Sequence, residues 1–579
     1  MRRGRRVARR CDRHAAAPAG APAGRPGAGR RAAGAAGRTL VLACVALGPV
    51  AAQPPRFVEV TRSAGIDFVY QNGATGRKHM PECMGSGAAF FDYDGDGFLD
   101  LYILNGAYLD SVPAGPPPRN AMFRNQGDGT FAETTDQSGT GDTGYGMGAA
   151  VGDADADGDL DLYLSNYGPN VFYRNEGDGS FADVTAATGT QDSGWGANAA
   201  FVDYDNDGDL DLYVANYMDY RPDQHRECRQ AMAVAYCGPL AYPGQSGVLY
   251  RNDGQLRFAD VTRPSGLYWT EGRQLGAVFG DYDDDGDQDL FVPNDRAANC
   301  LFQNQGDGTF VEIGAVAGVA YNEDGLAESA MGADWGDYDG DGRLDVVVAT
   351  FQWLPNRLYR NEGNGFFADV TQAAQLGRAS LPYLGMTAAF LDYDNDGWLD
   401  LFLANGHLDE NVTEYDTGAR YAQRNQLFRN LGDGQFAEVT EAAGPGLRVE
   451  RVSHGAAFGD YDNDGDTDIF VSDSAAPQCT LLRNDGGNRH HWLGVRLRGR
   501  RSNRDGIGAR LTLSAGGRRL VREARSTYGY LGANDLRVLF GLGTAARADS
   551  LTIRWPSGVA QLVTGLAADR YHEVIEPAD

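Results

Sequence analysis

The 579-residue sequence predicts an all-β protein, a seven-bladed β-propeller followed by a small C-terminal β-domain. Three observations carry that expectation. One nine-residue pattern, D-x-D-x-D-G-x-x-D, occurs seven times, with successive starts 61, 50, 78, 56, 55 and 68 residues apart. Each copy lies between a small-residue stretch and an apolar triplet. Each unit then runs into a Gly/Asp-rich hairpin signature. A period of this length marks repeated supersecondary units rather than independent domains.

The stretch before the loop is exemplified by Gly148-Ala149-Ala150-Val151-Gly152 and Gly455-Ala456-Ala457-Phe458-Gly459. The triplets after it are Leu101-Tyr102-Ile103, Leu162-Tyr163-Leu164, Leu212-Tyr213-Val214, Leu290-Phe291-Val292, Val346-Val347-Val348, Leu401-Phe402-Leu403 and Ile469-Phe470-Val471. Uninterrupted β-branched and aromatic residues read as buried strands. The hairpin signature, as in Phe123-Arg124-Asn125-Gln126-Gly127-Asp128-Gly129, recurs around Asn175, Asn252, Asn304, Asn361 and Asn430. Its Gly and Asp residues supply the positive φ that tight hairpins need. A strand of the type Phe181-Ala182-Asp183-Val184-Thr185 follows, giving four strands per unit. The seventh unit lacks that last strand, and Phe57-Val58-Glu59-Val60-Thr61 near the other end of the chain has its sequence, so the two are expected to meet and close the ring.

The seven loops are candidate metal sites. Their carboxylates are Asp92, Asp94, Asp96 and Asp100; Asp153, Asp155, Asp157 and Asp161; Asp203, Asp205, Asp207 and Asp211; and Asp281, Asp283, Asp285 and Asp289. The remaining three loops hold Asp337, Asp339, Asp341 and Asp345; Asp392, Asp394, Asp396 and Asp400; and Asp460, Asp462, Asp464 and Asp468. Three Asp at alternate positions project into one concavity, the Gly at position six permits the reversal, and the Asp at position nine closes the cage. Position seven can add a backbone carbonyl. Hard oxygens in a flexible shell suit calcium, up to seven ions here, better than magnesium or a soft metal. Without an ion the carboxylates repel, so binding is expected to couple to folding. An EF-hand is excluded, because its bidentate Glu at position twelve is replaced by Ile103, Leu164, Val214, Val292, Val348, Leu403 and Val471. Position two is Tyr in six loops and Ala154 in one, and these side chains are expected to pack between blades.

The formal charge of −28 argues against nucleic acid and anionic lipid as partners. Residues 1–52 read as a signal peptide, an Arg-rich extension over 1–38 followed by the short apolar run 39–52, with cleavage expected near Ala52. Two other readings stay open: 1–38 as sequence upstream of the true start, and Cys44 as a lipoprotein cysteine. No other segment could span a membrane, so a secreted location, periplasmic or extracellular, is expected. Beyond the leader there are five cysteines and no C-x-x-C. Cys228 and Cys237 are expected to form a disulfide within one insertion, and Cys83, Cys300 and Cys479 to be buried thiols.

The repeat resembles the FG-GAP/VCBS unit of integrin α-subunit propellers, over residues 53–488. That resemblance implies calcium in the Asp loops at one propeller face. Residues 489–579 change composition, and 489–530 is basic. Strands are expected at Trp492–Leu497, Ala509–Leu513 and Ser550–Trp555. Asn503-Arg504-Asp505-Gly506-Ile507-Gly508-Ala509-Arg510, Phe540-Gly541-Leu542-Gly543 and Trp555-Pro556-Ser557-Gly558 resemble the ASPIC/UnbV domain. Propeller plus this domain is the layout of the cartilage acidic protein family and its bacterial relatives. Nothing tied to the EGF-like module of animal members carries over. The Asn503–Arg510 stretch reads as a turn whose arginines dock on the acidic propeller, with an anion-binding loop as the alternative.

No G-x-S-x-G, H-E-x-x-H or P-loop pattern is present, so no catalytic residue is assigned. Of the histidines His79, His225, His407, His454, His490, His491 and His572, those beside blade strands, His407 and His454, are expected to be structural. The expected function is recognition or adhesion outside the cell, by a monomer, toward a glycan or protein. The insertion at 218–247 would form the largest loop wall. Its Tyr217, Tyr220, Tyr236 and Tyr242 either contact the partner or pack as an ordinary loop. A lyase-type enzyme acting on polysaccharide is the alternative, and it would need Arg, Lys, Tyr or His clustered on the axis.

Overall fold

A computed structural model describes residues 55–110, 115–474 and 479–578; the expected signal peptide lies outside them. Seven four-stranded antiparallel sheets make up the repeat region. In blade 1 the strands are Ala88–Phe91, Asp100–Ile103, Ala121–Asn125 and Phe131–Glu133, each paired with the next. Every Asp loop joins the first strand of a blade to the second. Blade 7 takes its fourth strand from the other end of the chain: Arg56–Glu59 pairs with Thr480–Asp485, with Phe57 opposite Asn484. The ring is therefore closed by two distant segments, and no blade is left short of an edge strand.

The first strands lie beside one another around the axis, which explains their Gly and Ala content. A Cβ on Gly148 would come 2.8 Å from the carbonyl oxygen of Ala197 in the next blade. Between blades the position-two rings pack as expected: Tyr93 lies against Phe181 and Tyr204 against Phe310, with ring centroids 6.0 and 5.9 Å apart.

A second link between blades is made by the hairpin asparagines. Asn175 Nδ2 donates to the carbonyl of Tyr93 in the preceding blade's loop at 2.8 Å. Asn252 reaches Ala154, Asn304 reaches Tyr204, Asn361 reaches Tyr282, Asn430 reaches Tyr338 and Asn484 reaches Tyr393 in the same way. Asn125 of blade 1 reaches Tyr461 of blade 7 at 2.8 Å, which completes the circle. All of these asparagines are buried, so each amide pairs where water cannot.

The C-terminal strands form two sheets. One runs Val538–Gly543, His491–Arg498, Tyr571–Ile575, the last pair parallel, and the other runs Arg518–Glu523, Arg510–Ala515, Ser550–Arg554, Ala560–Thr564. Leu493, Val495, Leu511, Leu513, Phe540, Ile553 and Trp555 fill the space between them. Three of the seven strands coincide with those expected from sequence. Of the others, Arg518-Arg519-Leu520-Val521-Arg522-Glu523 carries charge that hides its alternation, and Val538–Gly543 has glycines within its apolar run.

Residues 524–537 of this region enter the ring. Ala533 exchanges hydrogen bonds with Ala88 and Phe90 of blade 1 (2.9 and 3.1 Å), and Gly529 with Ala333 of blade 5 (2.8 and 3.3 Å). Phe458 of blade 7 donates to Asn534 Oδ1 at 3.0 Å. Tyr530 is fully buried on the axis, its hydroxyl donating to the carbonyl of Met84 at 3.2 Å. The described residues of both regions accordingly fall in one compact unit, Pro54–Asp579.

Candidate functional site

The Asp loops share one construction. The position-six glycine is left-handed in every copy, from Gly97 at φ 90° to Gly158 at 109°. Its N–H donates to the position-one carboxylate, as Gly97 does to Asp92 at 3.0 Å and Gly158 to Asp153 at 2.8 Å. The position-nine carboxylate takes two backbone donors. Asp100 accepts Tyr93 N–H at 3.0 Å and Asn125 N–H at 2.8 Å. Asp161, Asp211, Asp289, Asp345, Asp400 and Asp468 repeat both bonds with the equivalent residues. Position nine thus ties the loop to the third strand, a structural role the sequence pattern did not reveal.

Three-oxygen clusters form where the sequence placed them. Asp92, Asp94 and Asp96 each bring an oxygen within 4.8 Å of the others, as do Asp281, Asp283 and Asp285. In loops 2, 3 and 5 the trio is Asp153, Asp155, Asp161; Asp203, Asp205, Asp211; and Asp337, Asp339, Asp345. Two more such groups occur among the described residues. The clusters draw on position five in some loops and on position nine in others, rather than on all four carboxylates together.

Two observations test whether these residues suit a cation. First, buried oxygens are left without a hydrogen-bond partner: Oδ1 of Asp92, Asp153, Asp337 and Asp392 at position one, and Oδ1 of Asp205 and Asp462 at position three. Leaving such atoms unpaired costs about 1–3 kcal/mol each, more when charged. Second, burial pushes the position-one carboxyls up, to about 8 at Asp153 and Asp392, about 7 at Asp203, Asp281 and Asp460, and about 6 at Asp337. An oxygen-seeking divalent ion would relieve both strains. Asp466, at position seven of the last loop, is buried with Oδ1 unpartnered, so its side chain could also reach a cation there. The sequence reading gave that position only a backbone carbonyl.

The C-terminal sheets cover this face. Asn503 Nδ2 lies 3.5 Å from Asp203 Oδ2, and Asp505 Oδ2 accepts Asp153 N–H at 2.9 Å. Arg510 donates to the carbonyls of Asp281 and Gly342 (3.2 and 2.6 Å), Arg554 pairs with Asp281, and Arg537 donates to the Asp460 carbonyl at 2.7 Å. Tyr571 donates to Asp460 Oδ2 at 2.6 Å. The Asn503–Arg510 turn is therefore spent on docking to the acidic loops.

At the other end of the blades the connections between second and third strands differ in length, from 168–170 in blade 2 to the insertion 218–247 in blade 3. The insertion between the second and third strands of blade 3 contains a hairpin, Cys228–Gln230 with Ala233–Ala235, stapled by a Cys228–Cys237 disulfide. It reaches across the axis. Tyr236 N–H donates to Asp409 Oδ2 of blade 6 at 3.2 Å, and Asn411 Nδ2 donates to the Val234 carbonyl at 3.0 Å. Lys78, itself buried, joins this contact through Asp409 at 2.6 Å and lies 4.7 Å from the Tyr236 ring. Tyr217, Tyr220 and Tyr242 are buried in the axial core, and only Tyr236 stays half-buried. Cys83, Cys300 and Cys479 are free and buried. His407 and His454 are buried, and burial pushes both down to about 4, so they stay neutral.

His79 was unassigned by the sequence, yet it sits fully buried between Tyr220 Oη and Asp110 Oδ2, the latter at 2.8 Å. His225 lies 4.5 Å from it, ring to ring, and Arg77 pairs with Asp110 at 2.9 Å.

The chain belongs to the FG-GAP-repeat class of β-propeller proteins that continue into an ASPIC/UnbV region. The FG-GAP-like repeat profile matches residues 92–164, 155–214, 281–348, 337–403 and 404–471, more than half of the chain, and the ASPIC and UnbV profile matches 499–579. Among curated proteins it is similar to cartilage acidic protein 1 of Homo sapiens, 29% identical over 339 residues, 56% of this chain and 47% of that protein. The Xenopus tropicalis protein of the same name is 30% identical over 317 residues, 53% and 45%. The chain spans about half the length of the curated relatives it matches. Among solved structures it is similar to an Agrocybe aegerita lectin specific for non-reducing terminal N-acetylglucosamine, with TM-score 0.38, 17% identity and coverage of 69% of this chain and 91% of that one. It is also similar to the exotype rhamnogalacturonan lyase YesX, with TM-score 0.32, 13% identity and coverage of 84% and 91%. Likeness at that level bears on neither ligand nor chemistry. No helix among the described residues is long and apolar enough to cross a membrane.

Proposed function

We propose that the chain is a secreted, calcium-binding recognition module that engages a glycan or protein outside the cell through the face opposite its Asp loops. The observation that carries this is the asymmetry of the two ends. One end is covered by the C-terminal sheets and committed to the loops; the other is assembled from a cross-axis insertion and unequal connections, with a cavity at its centre. Calcium would be held by the carboxylates of positions one and three, joined by position five in some loops and position nine in others. When bound it would neutralise their charge and stiffen the platform on which the C-terminal sheets rest. The Cys228–Cys237 disulfide fits an oxidising compartment. The test is capture of partners from the native extracellular milieu with immobilised protein, with and without chelator. Recovery of a specific glycan or protein that is lost on chelation supports the proposal, and recovery of nothing above a scrambled-surface control contradicts it.

A second reading is a polysaccharide-active enzyme of lyase type. One observation favours it: His79, Tyr220, Asp110, His225 and Arg77 gather at the uncovered end, where the partly exposed His225 would be the group placed to take a proton from a sugar and the buried His79 and Tyr220 would support it. Incubation of any captured glycan with the protein, followed by absorbance of unsaturated product, separates the two readings.

A further inference from the structure

The insertion 218–247 and the loops after the second strands of blades 4, 5 and 6 enclose a cavity of about 600 Å³. That is within the range that holds small ligands, roughly 300–1,000 Å³. Two of its lining residues have features the fold does not explain. Gln352 is 4% exposed, and neither Oε1 nor Nε2 has a partner, although a buried amide ordinarily finds several. Trp353 next to it is 47% exposed, large for an indole, and its backbone is left-handed at φ 68°. Bulky residues take that conformation only where surrounding structure imposes it, and such strain collects at ligand sites. The indole is also held in place, its N–H donating to Asp416 Oδ2 at 2.6 Å.

The carboxylates around the cavity are already committed. Asp295 accepts the Tyr217 hydroxyl at 2.6 Å, and Asp409 is shared by Lys78, Tyr236 N–H and the Tyr415 hydroxyl. What remains is a fixed aromatic face beside an unpaired amide, within a wall whose charged side chains are three carboxylates, Asp295, Asp409 and Asp416, against one guanidinium, the exposed Arg296. We infer that the cavity binds a neutral pyranose ring of a glycan. The C–H face of the ring stacks on the Trp353 indole, and neighbouring hydroxyls pair with the donor and acceptor of Gln352. The acidic wall disfavours uronic and sialic acids. This rests on the recognition reading and names the site for its glycan branch.

The test is a glycan array carrying neutral and acidic oligosaccharides, probed with the calcium-loaded full chain and with Trp353→Ala and Gln352→Leu. Gln352→Leu removes no hydrogen bond, Trp353→Ala removes the one from the indole to Asp416, and melting curves verify that both variants fold. The expected result is binding to neutral glycans, weakened about tenfold or more in each variant with melting unchanged. Binding confined to acidic glycans, or no glycan bound at all, overturns the inference. So does neutral-glycan binding that both variants retain, an outcome that leaves extracellular recognition standing at another site. Failure of the array together with failure of partner capture would remove both.

Discussion

The two ends of the propeller are built on opposite plans. At the Asp-loop end every blade repeats the same bonds: glycine to position one, position nine to two backbone donors, asparagine to the preceding blade. At the other end the connections range from the three residues 168–170 in blade 2 to the insertion 218–247 in blade 3, and the axis is bridged by a disulfide-stapled hairpin. The difference teaches where each kind of information resides. Repetition carries closure and stability, because a ring holds only if every joint is made. Departure from repetition carries recognition, because it is what gives the surface a shape of its own.

If that division is right, damage at the repeated end should cost global stability and damage at the other end should stay local. The largest effect is expected at Arg537, 13% exposed in its side chain, which pairs with Asp535 at 2.8 Å and donates to the Asp460 carbonyl at 2.7 Å. Arg537→Leu strands a buried carboxylate and should lower unfolding free energy by about 3–5 kcal/mol in denaturant titration.

Next is Glu576, which fastens the C-terminal sheets. Burial alone would raise its carboxyl, but the Ser557 hydroxyl and the backbone N–H groups of Arg500, Arg501 and Ser502 hold it down to about 2, below its ordinary 4.5. A depressed carboxyl stabilises the fold above its unfolded value and loses that contribution as pH falls from 4.5 toward 2. The parent should lose about 3 kcal/mol across that window, and Glu576→Gln should lack that loss while starting weaker by a similar amount.

At the other end, Cys228→Ser with Cys237→Ser opens a short loop worth roughly 2–3 kcal/mol by chain entropy. Limited proteolysis should then cut within 218–247 while the global melt barely moves. A global collapse would break the comparison. The smallest effect is expected for Asn125→Ala, which removes one side-chain bond between blades 1 and 7 along with those to Leu99 and Gly127 and should cost about 1–2 kcal/mol. A cost near zero would show that the ring does not depend on that bond.

Much of this was legible in the chain. The Asp pattern, its flanks and the displaced strand at Phe57–Thr61 located the blades and their closure, because short-range repetition maps directly onto repeated structure. The loop carboxylates clustered where alternation and Gly placed them. What stayed hidden is long-range. Asn125 and its equivalents read as turn residues, and their second role needs the neighbouring blade in place. The 524–537 segment has no motif that announces an axis to fill. Gln352 and Trp353 follow an ordinary strand, and only the insertion from blade 3, more than a hundred residues earlier, turns them into a cavity wall. His79 was one histidine among several until Tyr220 and Asp110 met it.

The most direct test of the account is the metal itself. Protein purified in calcium, then dialysed to low free ion, should carry up to seven calcium ions per chain by elemental analysis. Exhaustive EGTA treatment should lower its melting temperature steeply, since a site held at a hundred times its Kd contributes about 2.7 kcal/mol. A chain that carries no divalent ion, and melts at the same temperature with and without EGTA, would contradict it.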